Sequence, residues 1–192
     1  MSTDYPLEGQ WKGGWALDLH TLSSIPIGDN QFDTTYTDIG AALNHLKYHG
    51  DNTQIDYLAR QAAEFMKAEL LVTAYIDVII PAPPSQQREL QPVYAIAQQI
   101  GRILKQPVDC AYVTKGRDTG QLKNVDDPKE RSNLLRGAFS TRDKRYRGKK
   151  ILLFDDLFRS GATLSEITKV LYEFGEVQNV YVLTLTKTRT KR

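Results

Sequence analysis

The sequence predicts an α/β protein with a mostly parallel, twisted sheet and helices on both faces. Three features carry that reading. They are apolar runs without polar alternation, helical stripes between those runs, and a strand-to-helix turn made of small residues. In chain order, Trp15, Leu17 and Leu19 alternate with polar partners and predict an early strand. Ile39, Ala42, Leu43 and Leu46 recur at helical spacing. Ile55, Leu58, Ala59, Ala62, Met66 and Leu70 mark a longer helix, with Asn52 or Thr53 as its N-cap. Residues 75–80 read as a buried strand ending at Pro81. Val93, Ile96, Ile100, Ile103 and Leu104 stripe a helix that Pro92 starts, and residues 108–113 read as another strand. Asp127, Pro128 and Glu130 have the cap, proline and acid of a helix start. Leu164, Ile167, Val170, Leu171 and Phe174 form the last helical stripe, stopped by Gly175, before a final strand over residues 180–186. The first 35 residues carry the least pattern.

The densest chemistry lies at residues 151–164, ILLFDDLFRSGATL. An apolar strand runs into Asp155 and Asp156, then into the turn Arg159-Ser160-Gly161-Ala162-Thr163, then into a helix. A helix N-terminus behind small residues offers unpaired N–H donors and a favourable dipole to a phosphate. Acids at the carboxyl end of a strand suit a ribose diol, because a carboxylate accepts from both hydroxyls. The order therefore describes a sugar-phosphate site. The bland alternative is a strand–turn–helix unit whose acids cap the next element.

Composition narrows the class. With 192 residues, 41% hydrophobic and 25% charged, the chain suits one domain with a substantial core. No apolar run approaches membrane length and no basic-then-apolar leader opens it, so a cytoplasmic protein without membrane contact is expected. The one cysteine, Cys110, excludes a disulfide framework and reads as a buried, inert thiol. Arg142, Lys144, Arg145, Arg147, Lys149 and Lys150 crowd one stretch, and Lys187, Arg189, Lys191 and Arg192 another. Stretches 142–150 and 187–192 are either solvated surface or a nucleic-acid contact, with Tyr146 the one aromatic interleaved with the first. His45 and His49 stand four apart on a predicted helix, a metal pair without an obvious third ligand. P-loop, dinucleotide-binding and zinc-protease fingerprints are absent from the sequence.

Residues 151–164 resemble the 5-phosphoribosyl-1-pyrophosphate (PRPP) motif of type I phosphoribosyltransferases, and more narrowly the ComF (competence protein F) branch. Four further stretches are similar to that branch: residues 36–51 (YTDIGAALNHLKYHGD), 78–88 (VIIPAPPSQQR), 115–121 (KGRDTGQ) and 131–139 (RSNLLRGAF). The resemblance covers about residues 36–188. It departs in four places, one of which is Arg159, bulkier than the residue usual in many transferases. In the other three, the single cysteine leaves no Cys-rich metal module in these residues, residues 88–92 (RELQP) keep only the arginine of the family stretch, and Ser160 stands for the usual threonine.

The resemblance implies a phosphoribosyltransferase-like domain over residues 1–192, with core 36–188 and a candidate hood in 1–35. It implies transfer of phosphoribosyl from PRPP, with Mg²⁺, to an unidentified base or amine. The alternative is a non-catalytic ribose-phosphate-binding protein that regulates or handles DNA. By the same implication Asp155 and Asp156 are the catalytic acids at the ribose. Arg159, Ser160, Gly161, Ala162 and Thr163 hold the 5′-phosphate. Ala82, Pro83, Ser85 and Arg88 form the pyrophosphate loop, and Arg117, Lys123 and Arg131 belong to a flexible loop over the substrate, with Asn133 a weaker anchor. Mg²⁺ arrives on PRPP without direct protein ligands, reaching Asp155 and Asp156 through water. A homodimer is a further implication.

Overall fold

The computed structural model describes residues 5–28, 31–84, 89–116 and 134–189. Its main sheet has the order β1-β2-β9-β8-β5. These strands are β1 (Tyr5–Pro6), β2 (Gly13–Leu19), β5 (Val78–Pro81), β8 (Lys150–Phe158) and β9 (Asn179–Lys187). Only β1 pairs antiparallel; β2, β9, β8 and β5 run parallel. The chain therefore leaves β2, β5, β8 and β9 at one common edge, where ligands of open α/β sheets bind.

Strand alternation divides the interior into two cores. Ile151 and Leu153 on β8 and Val180 and Val182 on β9 face Leu164, Ile167, Val170 and Leu171 of α4 (Ala162–Glu173). Leu152, Phe154, Leu183 and Leu185 point the other way, toward α1 (Asp38–Tyr48), α2 (Gln54–Glu69) and α3 (Pro92–Leu104). Both faces are covered, which is why β8 and β9 read as unbroken apolar runs. Each fully buried Leu or Ile stabilises by roughly 1.5–3 kcal/mol. Helix α1 starts where the Thr37 hydroxyl accepts from the Gly40 N–H at 3.0 Å, and Pro92 opens α3. No helix among the described residues is long and apolar enough to cross a membrane.

Four expectations need correction. The strand expected at 108–113 is instead a turn: the Asp109 carboxylate accepts from the Ala111 N–H at 2.9 Å, and β6 (Val113–Lys115) begins only after it. Val108 makes a single bridge to Ile79, and Cys110 is half-buried in the turn, with burial raising its thiol pKa. Tyr75 belongs to a short 3₁₀ turn, so β5 begins at Val78 and includes Pro81. Phe174 leaves the α4 stripe and is 62% exposed at the helix end. Thr53, one of the two expected candidates, is the N-cap of α2, without a side-chain capping bond. The helix start at 127–130 lies outside the described residues.

The N-terminal region divides in two. Leu7, Trp11 and Ala16 are buried in the α4-side core, while β3 (Thr21–Gly28) and β4 (Gln31–Tyr36) form a separate antiparallel hairpin with Leu22, Ile25, Ile27 and Phe32 exposed. A second two-stranded piece pairs β6 with β7 (Phe139–Thr141).

Candidate functional site

Strand β8 continues past both acids to Phe158, so the pair sits inside the strand rather than at its last residue. Asp155 follows Leu153 on the α4 face and lines a cavity of about 90 Å³ with residues 157–164. Asp156 follows Phe154 toward α1, where it is 7% exposed and meets Lys47 Nζ at 2.6 Å. The neighbouring acids thus face opposite sides of the sheet, as a period of two requires.

The turn after β8 has the features of an anion cradle. Arg159 and Ser160 are exposed, Gly161 is buried and is the α4 N-cap, and Ala162 and Thr163 begin the helix. Gly161 has φ +72°, a left-handed conformation that glycine adopts without a side-chain clash. It supplies no capping side chain, and the first turn of α4 contains no acid. The first N–H groups of α4 are therefore left for an external acceptor.

Burial and the Asp156 charge push the Asp155 carboxyl well above the usual carboxylate range, while the Asp156 N–H and Lys47 oppose the shift. Its Oδ1 accepts that N–H at 2.9 Å. In register with Asp155 on β9 stands Thr184, whose fully buried hydroxyl has no hydrogen-bond partner among the described residues. Two residues further along β9 the Thr186 hydroxyl donates to the Asp156 carbonyl at 3.3 Å and lies 3.2 Å from His20 Nδ1. Burial, then Lys47, lower the His20 pKa, so the ring stays neutral near pH 7.

Part of the second loop is also placed. The Ala82 N–H donates to the Phe154 carbonyl at 2.8 Å, setting the chain after β5 beside the β8 acids. Ala82 is buried and Pro83 half-buried. Ser85, Arg88, Arg117, Lys123, Arg131 and Asn133 lie outside the described residues. Lys47, His20, Thr184 and Trp11 were not anticipated as parts of this neighbourhood. Lys47 lay within the ComF-like helix stretch, which was its one available signal.

Other candidates fare differently. A larger cavity, about 400 Å³, lies between β7 and the outer face of α4, lined by Arg136, Phe139, Lys169 and Phe174 among others. It contains neither acid nor the small-residue turn, so size does not mark the site. The basic stretch is mostly self-neutralised. Lys144 and Arg147 pair with Glu176, Arg145 with Asp143 and Asp109, and Lys149 with Asp77, while Lys150 lies over the Tyr75 ring. Tyr146 is half-buried, donates to Asp109 at 2.9 Å and packs edge-on against Tyr112. In the second stretch Arg189 donates to the Leu22 carbonyl, and Lys191 and Arg192 lie outside the described residues. The His45 and His49 rings are 5.2 Å apart, but no group of three metal-ligating side chains occurs among the described residues.

No family model matches the sequence. The chain is 26% identical over 167 residues to Competence protein ComFC of Bacillus subtilis, covering 84% of this chain and 65% of that protein. It is 28% identical over 100 residues to Amidophosphoribosyltransferase of Saccharomyces cerevisiae, covering 52% of this chain and 18% of that one. The chain thus spans less than two thirds of either relative. Among solved structures, orotate phosphoribosyltransferase from Aeropyrum pernix aligns with a TM-score of 0.49 at 15% identity, covering 88% of this chain and 76% of that one.

Proposed function

Because the chain is ComF-like across most of its length and sets the type I phosphoribosyltransferase motif on a parallel α/β sheet, we propose that it binds PRPP and transfers its phosphoribosyl group to a base or amine. The observation that carries this reading is the joint lining of one small cavity by Asp155 and the open N-terminal turn of α4. A phosphate in the turn gains from several charge-assisted hydrogen bonds, each worth about 1.5–3 kcal/mol. The ribose then extends toward Asp155, whose carboxylate accepts from its hydroxyls. The transition state gathers positive charge on the ribose and negative charge on the leaving pyrophosphate, so a half-buried carboxylate beside the ring and cations beyond it favour the displacement.

A divalent ion bound with PRPP would supply charge neutralisation at the pyrophosphate. The oxygen-only donor Asp155, which lines the cavity, suits Mg²⁺ through water, whereas Asp156 is turned away and paired with Lys47; the pyrophosphate itself would provide the remaining ligands. In this reading residues 1–192 act as one domain. The same reading assigns Arg88 and Arg117, which lie outside the described residues, to the pyrophosphate.

A second reading, binding without turnover, draws on residues 88–92. Pro92 is already the first residue of α3 and Glu89 is exposed where the family stretch differs. Calorimetry of Mg²⁺–PRPP against wild type and Asp155→Asn separates the outcomes. Micromolar binding lost in the variant, followed by pyrophosphate release with an acceptor, supports the transferase. Binding without release under any acceptor supports the second reading, and no binding to wild type overturns both.

A further inference from the structure

Two adjacent carboxylates inside a sheet repel one another and lose hydration, so a site that uses them needs a nearby cation. Lys47 supplies it. Its ammonium reaches Asp156 Oδ2 at 2.6 Å, with the Lys47 side chain 20% and the Asp156 side chain 10% exposed. Screening by solvent is weak for a pair so covered. The lysine is delivered by the last turn of α1, and that helix is pinned tightly. The Thr37 hydroxyl donates to the Leu19 carbonyl at 2.6 Å while capping α1. Gly40 lies against the β2–β3 junction so closely that an added Cβ would stand 2.1 Å from the His20 carbonyl oxygen. Lys47 therefore reaches Asp156 from a helix whose N-terminal end is tied to the β2–β3 junction.

Strand alternation gives this ion pair a consequence for ligand binding. Asp156 is turned away from the loop cavity, and Asp155 alone of the two lines it. The Asp156 main chain is held as well, its carbonyl accepting from Thr186 and its N–H bound to Asp155 Oδ1. Resting on the PRPP-site reading above, we propose that Lys47 is the positioning residue of the acid pair: by fixing Asp156 toward α1 it sets the backbone and carboxylate of Asp155 for the ribose hydroxyls. Lys47 does not touch the sugar phosphate in this arrangement. It acts through Asp156, and its effect belongs to the ribose half of the ligand rather than to the phosphate half.

That division is testable with three probes, ribose 5-phosphate, PRPP with Mg²⁺, and inorganic phosphate, titrated by calorimetry. Lys47→Met is expected to weaken ribose 5-phosphate and PRPP by ~10-fold or more, to leave inorganic phosphate within ~2-fold, and Lys47→Arg is expected to restore most of the loss. Lys47→Met leaves a buried carboxylate unpaired and can fail to fold. The neutral double variant Lys47→Met/Asp156→Asn removes both charges. If Lys47 works through Asp156, it binds ribose 5-phosphate no more weakly than either single variant. Three results overturn the proposal: folded Lys47→Met binding ribose 5-phosphate like wild type, inorganic phosphate falling in parallel, or additive losses in the double variant. Wild type that binds none of the three probes overturns the underlying site reading, and the proposal falls with it.

Discussion

The indole of Trp11 stands edge-on to the Phe158 ring, with centroids 6.3 Å apart and planes at 89°, and both rings border Gly161. The Trp11 N–H donates to the Leu7 carbonyl at 2.8 Å, so the ring is fixed by its own segment of chain. Residues before β2 thereby support the turn that would hold a phosphate. Trp11→Ala should cost about 3–5 kcal/mol of stability by urea denaturation. Trp15, stacked on Tyr181 on the other core, is the second of two tryptophans. With Trp15→Phe in place, Trp11 emission should change on adding ribose 5-phosphate. An unchanged spectrum under saturating ligand would separate Trp11 from the site.

Gly161 is the second test of the same turn. Its left-handed φ of +72° costs an L-residue ~1–2 kcal/mol, and a Cβ would stand 2.9 Å from the Phe158 ring. Gly161→Ala should therefore lower stability by about 2 kcal/mol and weaken inorganic phosphate ~10-fold, because the N–H groups of α4 would turn with the cap. Phosphate affinity equal to wild type in the folded variant would show that the turn tolerates the strain without holding the anion.

Much of this fold was legible because burial on both faces leaves a direct trace. Val180, Val182, Leu183 and Leu185 are apolar whichever way they point, so β9 was visible without knowing its neighbours. The 108–113 strand failed because Val108 and Val113 carry β propensity while Asp109 takes the local N–H and turns the chain. The acids and the small-residue turn were visible as a contiguous segment. Lys47 and His20 were not, since they reach Asp156 and Thr186 only through the folding of α1 and β2 onto the sheet. The opposite orientation of Asp155 and Asp156 follows from alternation alone, yet it becomes informative only when the two cores are known.

Thr184 offers a sharper test of the Asp155 side. Its hydroxyl is fully buried, has no partner among the described residues, and is in register with Asp155. An orphaned buried hydroxyl costs roughly 1–3 kcal/mol, and valine has nearly the same shape. Thr184→Val should raise stability by about 1 kcal/mol in the ligand-free protein. A loss of stability instead would mean that the hydroxyl already holds a partner.

Asp155 should also betray itself through pH. Its carboxyl is raised to about 7 by burial and by the Asp156 charge. Between the ordinary carboxylate value of about 3.9 and that raised value, the folded state holds more protons than the unfolded chain. Stability must then fall as pH rises through this window, the reverse of an acid whose pKa is depressed. Asn cannot ionise, and its carbonyl can still accept the Asp156 N–H. Asp155→Asn should therefore be more stable than wild type at about pH 8, by on the order of 1 kcal/mol or more, with the advantage shrinking toward about pH 4. The same variant should bind ribose 5-phosphate far more weakly. Urea denaturation across that range, paired with calorimetry, reads both effects. A stability gain joined to lost binding is what a residue kept for its ligand rather than for the fold should show. A variant less stable than wild type at pH 8 would instead make Asp155 part of the scaffold.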